Sequence, residues 1–149
     1  MLNKKFFLKE GPITRDRYRK HIFEDAKDID DKKFPNYTKT KFSKLYGERK
    51  RANKFKRQSS KYANSTAPVL TGDLLRDFSL IKVSDTGFQI GWSAFGARVG
   101  HLADKDRVLT KPTKALPTGV VSYLSKQAHK YIGKRLGKSK TTIHKIGKK

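Results

Sequence analysis

Apolar positions recur with a helical period over residues 15–30, where Tyr18, Ile22, Ala26 and Ile29 share one face. Thr14 stands where a helix cap is needed. Residues 1–13 precede it as an extended arm ending at Gly11-Pro12. Asp28, Asp30 and Asp31 crowd the end of the predicted helix, where the helix dipole disfavours negative charge, so that end frays or meets a cation. Phe34-Pro35-Asn36 reads as a turn. A second helix is predicted over 40–62, with Phe42, Leu45, Tyr46, Ala52, Phe55 and Tyr62 near one stripe and Gly47 weakening it. Residues 64–68 form a polar connector.

The centre alternates differently. Thr71-Gly72-Asp73 opens a short helical turn through Leu74 and Leu75. Phe78 to Val83 and Phe88 to Trp92 read as two strands of a hairpin, joined by Ser84-Asp85-Thr86-Gly87. Residues 94–103 fit neither period, and Val108 to Thr110 suits a short third strand. Pro112 and Pro117 bracket a loop. A final helix is predicted over 119–136, with Val121, Leu124, Ala128, Tyr131 and Ile132 as its stripe and Gly133 and Gly137 as its stop. The expected fold class is α+β: a small antiparallel sheet packed against helices, with extended basic N- and C-terminal arms. The expected division is an arm at 1–13, a single domain at 14–136 and a basic tail at 137–149.

Charge changes this picture by giving it an address. The 149 residues carry a net charge of +23. Residues 1–60 hold 19 Lys and Arg against 8 acids, residues 61–110 hold 6 against 5, and residues 111–149 hold 11 against none. A nearly neutral centre is thus flanked by two basic stretches, which implies a polyanionic or acidic partner. Residues 138–149, with five Lys and no acid, bury too little apolar surface to order alone. No apolar run approaches the length of a membrane span or of a signal-peptide core, so a soluble chain is expected.

Chemistry is sparse. The absence of cysteine excludes disulfides and thiolate sites. His21, His101, His129 and His144 share no metal-ligand spacing. Glu24, Asp25, Asp28, Asp30 and Asp31 lack a glycine-centred calcium loop. No phosphate-binding loop or nucleophile elbow occurs. Catalytic, cofactor and metal residues are therefore all expected to be absent. The positive signal is Lys39 to Lys61, where cations interleave with aromatics as in nucleic-acid binders, although helical spacing turns those aromatics toward a core. The residues expected to contact a polyanion or acidic partner are Lys39, Lys41, Lys44, Arg49, Lys50, Arg51, Lys54, Lys56 and Arg57, with Lys134, Arg135, Lys138 and Lys140 toward the tail.

The segment Ala67 to Phe78, APVLTGDLLRDF, resembles the P-L-x-x-T-G-x-L-x-x-S segment of tailed-phage virion morphogenesis and tail-completion proteins, including the head–tail joining and tail-terminator families. Phe88 to Trp92 and Phe95 to His101 are similar to the strand and the aromatic-Ala segment that come next in that group. The small polar residue usual after T-G-x-L is here replaced by Asp77 or Phe78. The likeness covers about a quarter of the chain. It implies Thr71, Gly72, Leu74, Gly91 and Trp92 as a structural motif and a non-catalytic ring subunit at the head–tail connector, neck or tail terminus. It further implies neighbouring virion proteins (portal or adaptor, tail tube or tail terminator) and packaged DNA as partners. The implied place is a virion assembled in the bacterial cytoplasm. Composition alone points to an alternative, a free nucleic-acid-binding protein of ribosomal or nucleoid type.

Overall fold

Asn3 is extended, and its side chain accepts a hydrogen bond from the Phe6 amide at 3.3 Å. That cap starts helix α1, which runs Lys4–Phe23. The computed structural model describes residues 1–36, 65–68, 73–103 and 107–146, together with isolated positions between 45 and 52, and side chains as far as residue 137. The remaining elements are helix α2 (Asp73–Asp77), strands β1 (Phe78–Val83) and β2 (Phe88–Trp92), and helices α3 (Gly96–Ala103) and α4 (Thr118–Ile146). The protein is of mixed helix and strand, with a two-stranded antiparallel sheet packed against helices.

The extended arm expected at 1–13 is overturned. Residues 4–13 belong to α1, and Phe6, Phe7 and Glu10 are buried. The physical reason is apolar: Phe6 packs on Phe7 and on Tyr131 of α4, with ring centroids 5.3 and 5.2 Å apart, and Phe7 packs on Phe88 of β2. Pro12 lies inside the helix and has no N–H to give, a substantial local penalty that this burial offsets. Gly11 is needed for proximity rather than for a break. A Cβ there would stand 3.2 Å from the Leu80 side chain, so the helix rests directly on the sheet.

The helix predicted to reach residue 30 stops at Phe23. Ala26 takes a left-handed conformation with φ 54°, and the Phe34 amide donates to the Ala26 carbonyl, folding residues 24–34 back on the helix end. Ile29, fully buried, donates its amide to the Val108 carbonyl at 2.9 Å. That bond occupies the stretch expected to be a third strand. Residues 107–110 are not strand, and Leu109 is instead a core residue.

The hairpin follows its sequence pattern. Phe78 pairs with Trp92, Leu80 with Ile90 and Val83 with Phe88, with a bulge at Ile81 between Leu80 and Lys82. The Ser84 amide closes the turn on the Gly87 carbonyl at 2.8 Å. Phe78 is the hub of the core: Tyr18 stands edge-on to it at 5.3 Å, Trp92 lies at 4.7 Å and Phe23 at 6.4 Å. Ile22, Ile29, Phe34, Ala67, Val99, Leu109 and Val120 complete the cluster. The ambiguous stretch 94–103 resolves as α3, which contributes Val99.

Helix α4 runs antiparallel to α1. Tyr131 donates to Asn3 Oδ1 at 2.8 Å near the start of α1, and Tyr123 donates to Glu10 Oε2 at 2.9 Å further along it. The stop expected at Gly133 and Gly137 does not operate: the backbone stays helical to Ile146, including the residues 137–146 expected to form an extended tail. Isolated glycines cost a helix only about 1 kcal/mol each, and no proline follows them.

Candidate polyanion interface

Three aspartates that follow α1 are engaged inside the fold. Asp28 Oδ1 accepts from the amides of Asp30 and Lys32. Asp30 pairs with Lys111 and lies 3.7 Å from Lys114. Asp31, left-handed with φ 68°, accepts from the Thr118 amide at 3.2 Å and so caps α4. The Lys111 hydrogen bond, with the charges of Lys111, Lys114 and Lys32, holds the Asp30 carboxyl below the usual carboxylate range despite partial desolvation. Desolvation also raises Asp31, but hydrogen bonds from Thr118 and the charges of His21 and Lys114 more than offset it. His21 Nε2 donates to the Asp28 carbonyl at 2.8 Å and sits 3.8 Å from Asp31. The cation expected to meet these aspartates is thus a pair of lysines before α4. Among the described residues no group of three His, Cys, Asp or Glu could hold a metal ion.

Residues 107–149 contain no Asp or Glu, so α4 carries no acid of its own, and among the described residues no ion pair to Lys126, Lys130, Lys134 or Arg135 is present. Lys134 and Arg135, both expected at the interface, are exposed on α4. Arg135 lies 5.3 Å over the Tyr131 ring and donates to the Met1 carbonyl, so it braces the end of α1. Lys138 and Lys140 lie on the same helical backbone, with side chains outside the described set. Arg49 and Arg51 are exposed on helical backbone. Lys39, Lys41, Lys44, Lys50, Lys54, Lys56 and Arg57 lie outside the described residues, as does most of the helix predicted over 40–62.

Sequence reasoning missed Lys126 and Lys130, which are exposed about two turns and one turn before Lys134. It also missed Arg17, whose guanidinium carbon lies 3.8 Å from the Tyr123 ring centroid at the seam of α1 and α4. Counting at intervals of four along residues 126–138 would have found the lysines. Arg17 could not be found that way, because its partner is more than a hundred positions distant.

The motif residues divide. Thr71 and Gly72 lie outside the described residues. Leu74 is half-buried, and its carbonyl accepts from Trp92 Nε1 at 2.8 Å. Trp92 is half-buried against Phe78, and Gly91 pairs with Ser79. Asp77 accepts from Ser93 Oγ at 2.8 Å and from the amides of Ala94 and Phe95. It therefore ties the end of α2 to the turn that starts α3. Burial raises its carboxyl, and those hydrogen bonds bring it below the usual value on balance. No helix among the described residues is long and apolar enough to cross a membrane. Comparison with protein-family models, curated proteins and solved structures finds no match to this chain.

Proposed function

We propose that the chain is a non-catalytic structural subunit of a tailed-phage virion. It forms a ring at the head–tail connector, neck or tail terminus and contacts neighbouring virion proteins and packaged DNA there. The observation that carries the reading is local. The part of the phage-like segment that is described, from Asp73 to His101, forms one continuous unit of α2, hairpin and α3, tied by the Trp92–Leu74 and Asp77–Phe95 hydrogen bonds. A two-stranded hairpin is a marginal structure alone and is stabilised when a neighbour extends it. The bulge leaves Ile81 44% exposed on this hairpin, where a neighbouring subunit would cover it.

Sedimentation of the purified chain at high salt, with nuclease treatment, tests the reading. A ring-sized species, or co-assembly with portal or tail-tube proteins, is the expected result. A monomer at all concentrations that also fails to join particles overturns it and leaves a free nucleic-acid-binding protein, for which the acid-free α4 is the supporting observation.

A further inference from the structure

The exposed lysines of α4 stand in register. Lys126, Lys130 and Lys134 recur every four residues, so each is turned about 40° and displaced about 6 Å from the last. Like charges at this spacing repel and weaken a helix, and no acid on α4 relieves them. The carboxylate at this seam is committed: Glu10 is 3% exposed and accepts from Tyr123. Tyr123 lies one turn before Lys126, and the guanidinium of Arg17 is laid across its ring. Among the described residues the row is therefore left without a neutralising acid, with an arginine fixed at its edge.

We propose that Lys126, Lys130 and Lys134, with Arg17 at the α1–α4 seam, grip the phosphate backbone of a double-stranded nucleic acid without reading its sequence. The row spans about 12 Å of helix. One strand of a duplex presents a charge every 3.4 Å of its axis, or about three phosphates over that length. Lysine is a point charge on a flexible stem, suited to uniform charge, whereas base recognition uses planar or forked donors. An acidic protein partner would present carboxylates at irregular spacing, with no demand for an evenly spaced row. The inference holds for a ring subunit and for a free chain alike, so the failure of one does not decide the other.

The test uses the full chain and a fluorescent random-sequence duplex, with affinity followed as salt is raised. The variant Lys126→Gln/Lys130→Gln/Lys134→Gln is compared with Lys32→Gln/Lys33→Gln/Lys82→Gln, which removes the same charge from positions elsewhere on the surface. Residues 39–61 are intact in both. The α4 variant is expected to flatten the slope of log affinity against log salt by about 2.7, from about 0.9 per lost contact, and the control by less than about 1. If the α4 variant is misfolded by circular dichroism, each single substitution is expected to flatten the slope by about 0.9. Equal effects of the two triples, or no duplex binding by the parent chain, overturn the proposal. So does a result in which the α4 variant loses binding to polyglutamate but not to the duplex, which would assign the row to an acidic protein.

Discussion

The Tyr18 hydroxyl donates to the Leu109 carbonyl, joining the middle of α1 to the approach to α4 across 91 positions of sequence. Tyr18 is 2% exposed, and burial pushes its hydroxyl above the ordinary tyrosine range, which favours the protonated, donating form. Tyr18→Phe keeps the ring against Phe78 and removes only this bond. Urea unfolding is expected to show a loss of about 1–2 kcal/mol with an unchanged slope. An unchanged midpoint would mean that the carbonyl is satisfied without Tyr18.

One turn earlier on the same face, Thr14 is fully buried and its Oγ1 has no hydrogen-bond partner among the described residues. Valine has nearly the same shape without the hydroxyl. Thr14→Val is expected to raise stability by about 1 kcal/mol, the penalty of an unpaired buried hydroxyl. Destabilisation in the same urea assay would show that the hydroxyl has a partner in solution.

Phe6 is 3% exposed between Phe7 and Tyr131, so the start of the chain is part of the core. Phe6→Ala is expected to lose about 3 kcal/mol. Amides from about Leu8 through Phe23 should exchange slowly in the isolated protein, apart from Pro12, which has none. A loss below about 0.5 kcal/mol, the range of ordinary surface changes, would restore an unpacked arm.

The Asp77 carboxylate holds the turn at 93–95, and its folded pKa lies below its ordinary value of 3.8. A lowered folded value means that its contribution is present above pH 3.8 and fades as pH falls through the folded pKa. Asp77→Ala should therefore lower Tm at pH 6, and the gap from the parent should close as pH drops below 3.8. A gap that stays constant in thermal melts down to acid unfolding would remove the carboxylate as its cause.

The hairpin was legible because its alternation and its Ser84 to Gly87 turn are local signals, and Asp73 to Leu75 likewise. The entry helix was obscured by composition. Gly11-Pro12 resembled a break and Lys4 and Lys5 resembled a solvated arm, yet Phe6, Glu10, Thr14, Tyr18 and Ile22 continue a single face at intervals of four. Asn3 as a cap was the missing start signal. Sequence pattern could not place Asp30 beside Lys111 or Arg17 on Tyr123, since those contacts depend on how distant segments return to one another. The cationic row was half seen: net charge pointed to the C-terminal region, and the helix predicted over 119–136 already held Lys126, Lys130 and Lys134 at intervals of four, a regularity that net charge alone does not show.

Arg107 is 4% exposed, and its guanidinium donates both to the Pro35 carbonyl at 2.8 Å and to the Thr66 carbonyl at 3.4 Å. Both ends of the intervening basic segment are therefore fastened at one point of the body. The entropy of closing the chain between those two points grows only slowly with its length. Doubling such a span adds only about 0.6 kcal/mol of closure entropy. One side chain thus brings together two points of the chain that lie 31 positions apart.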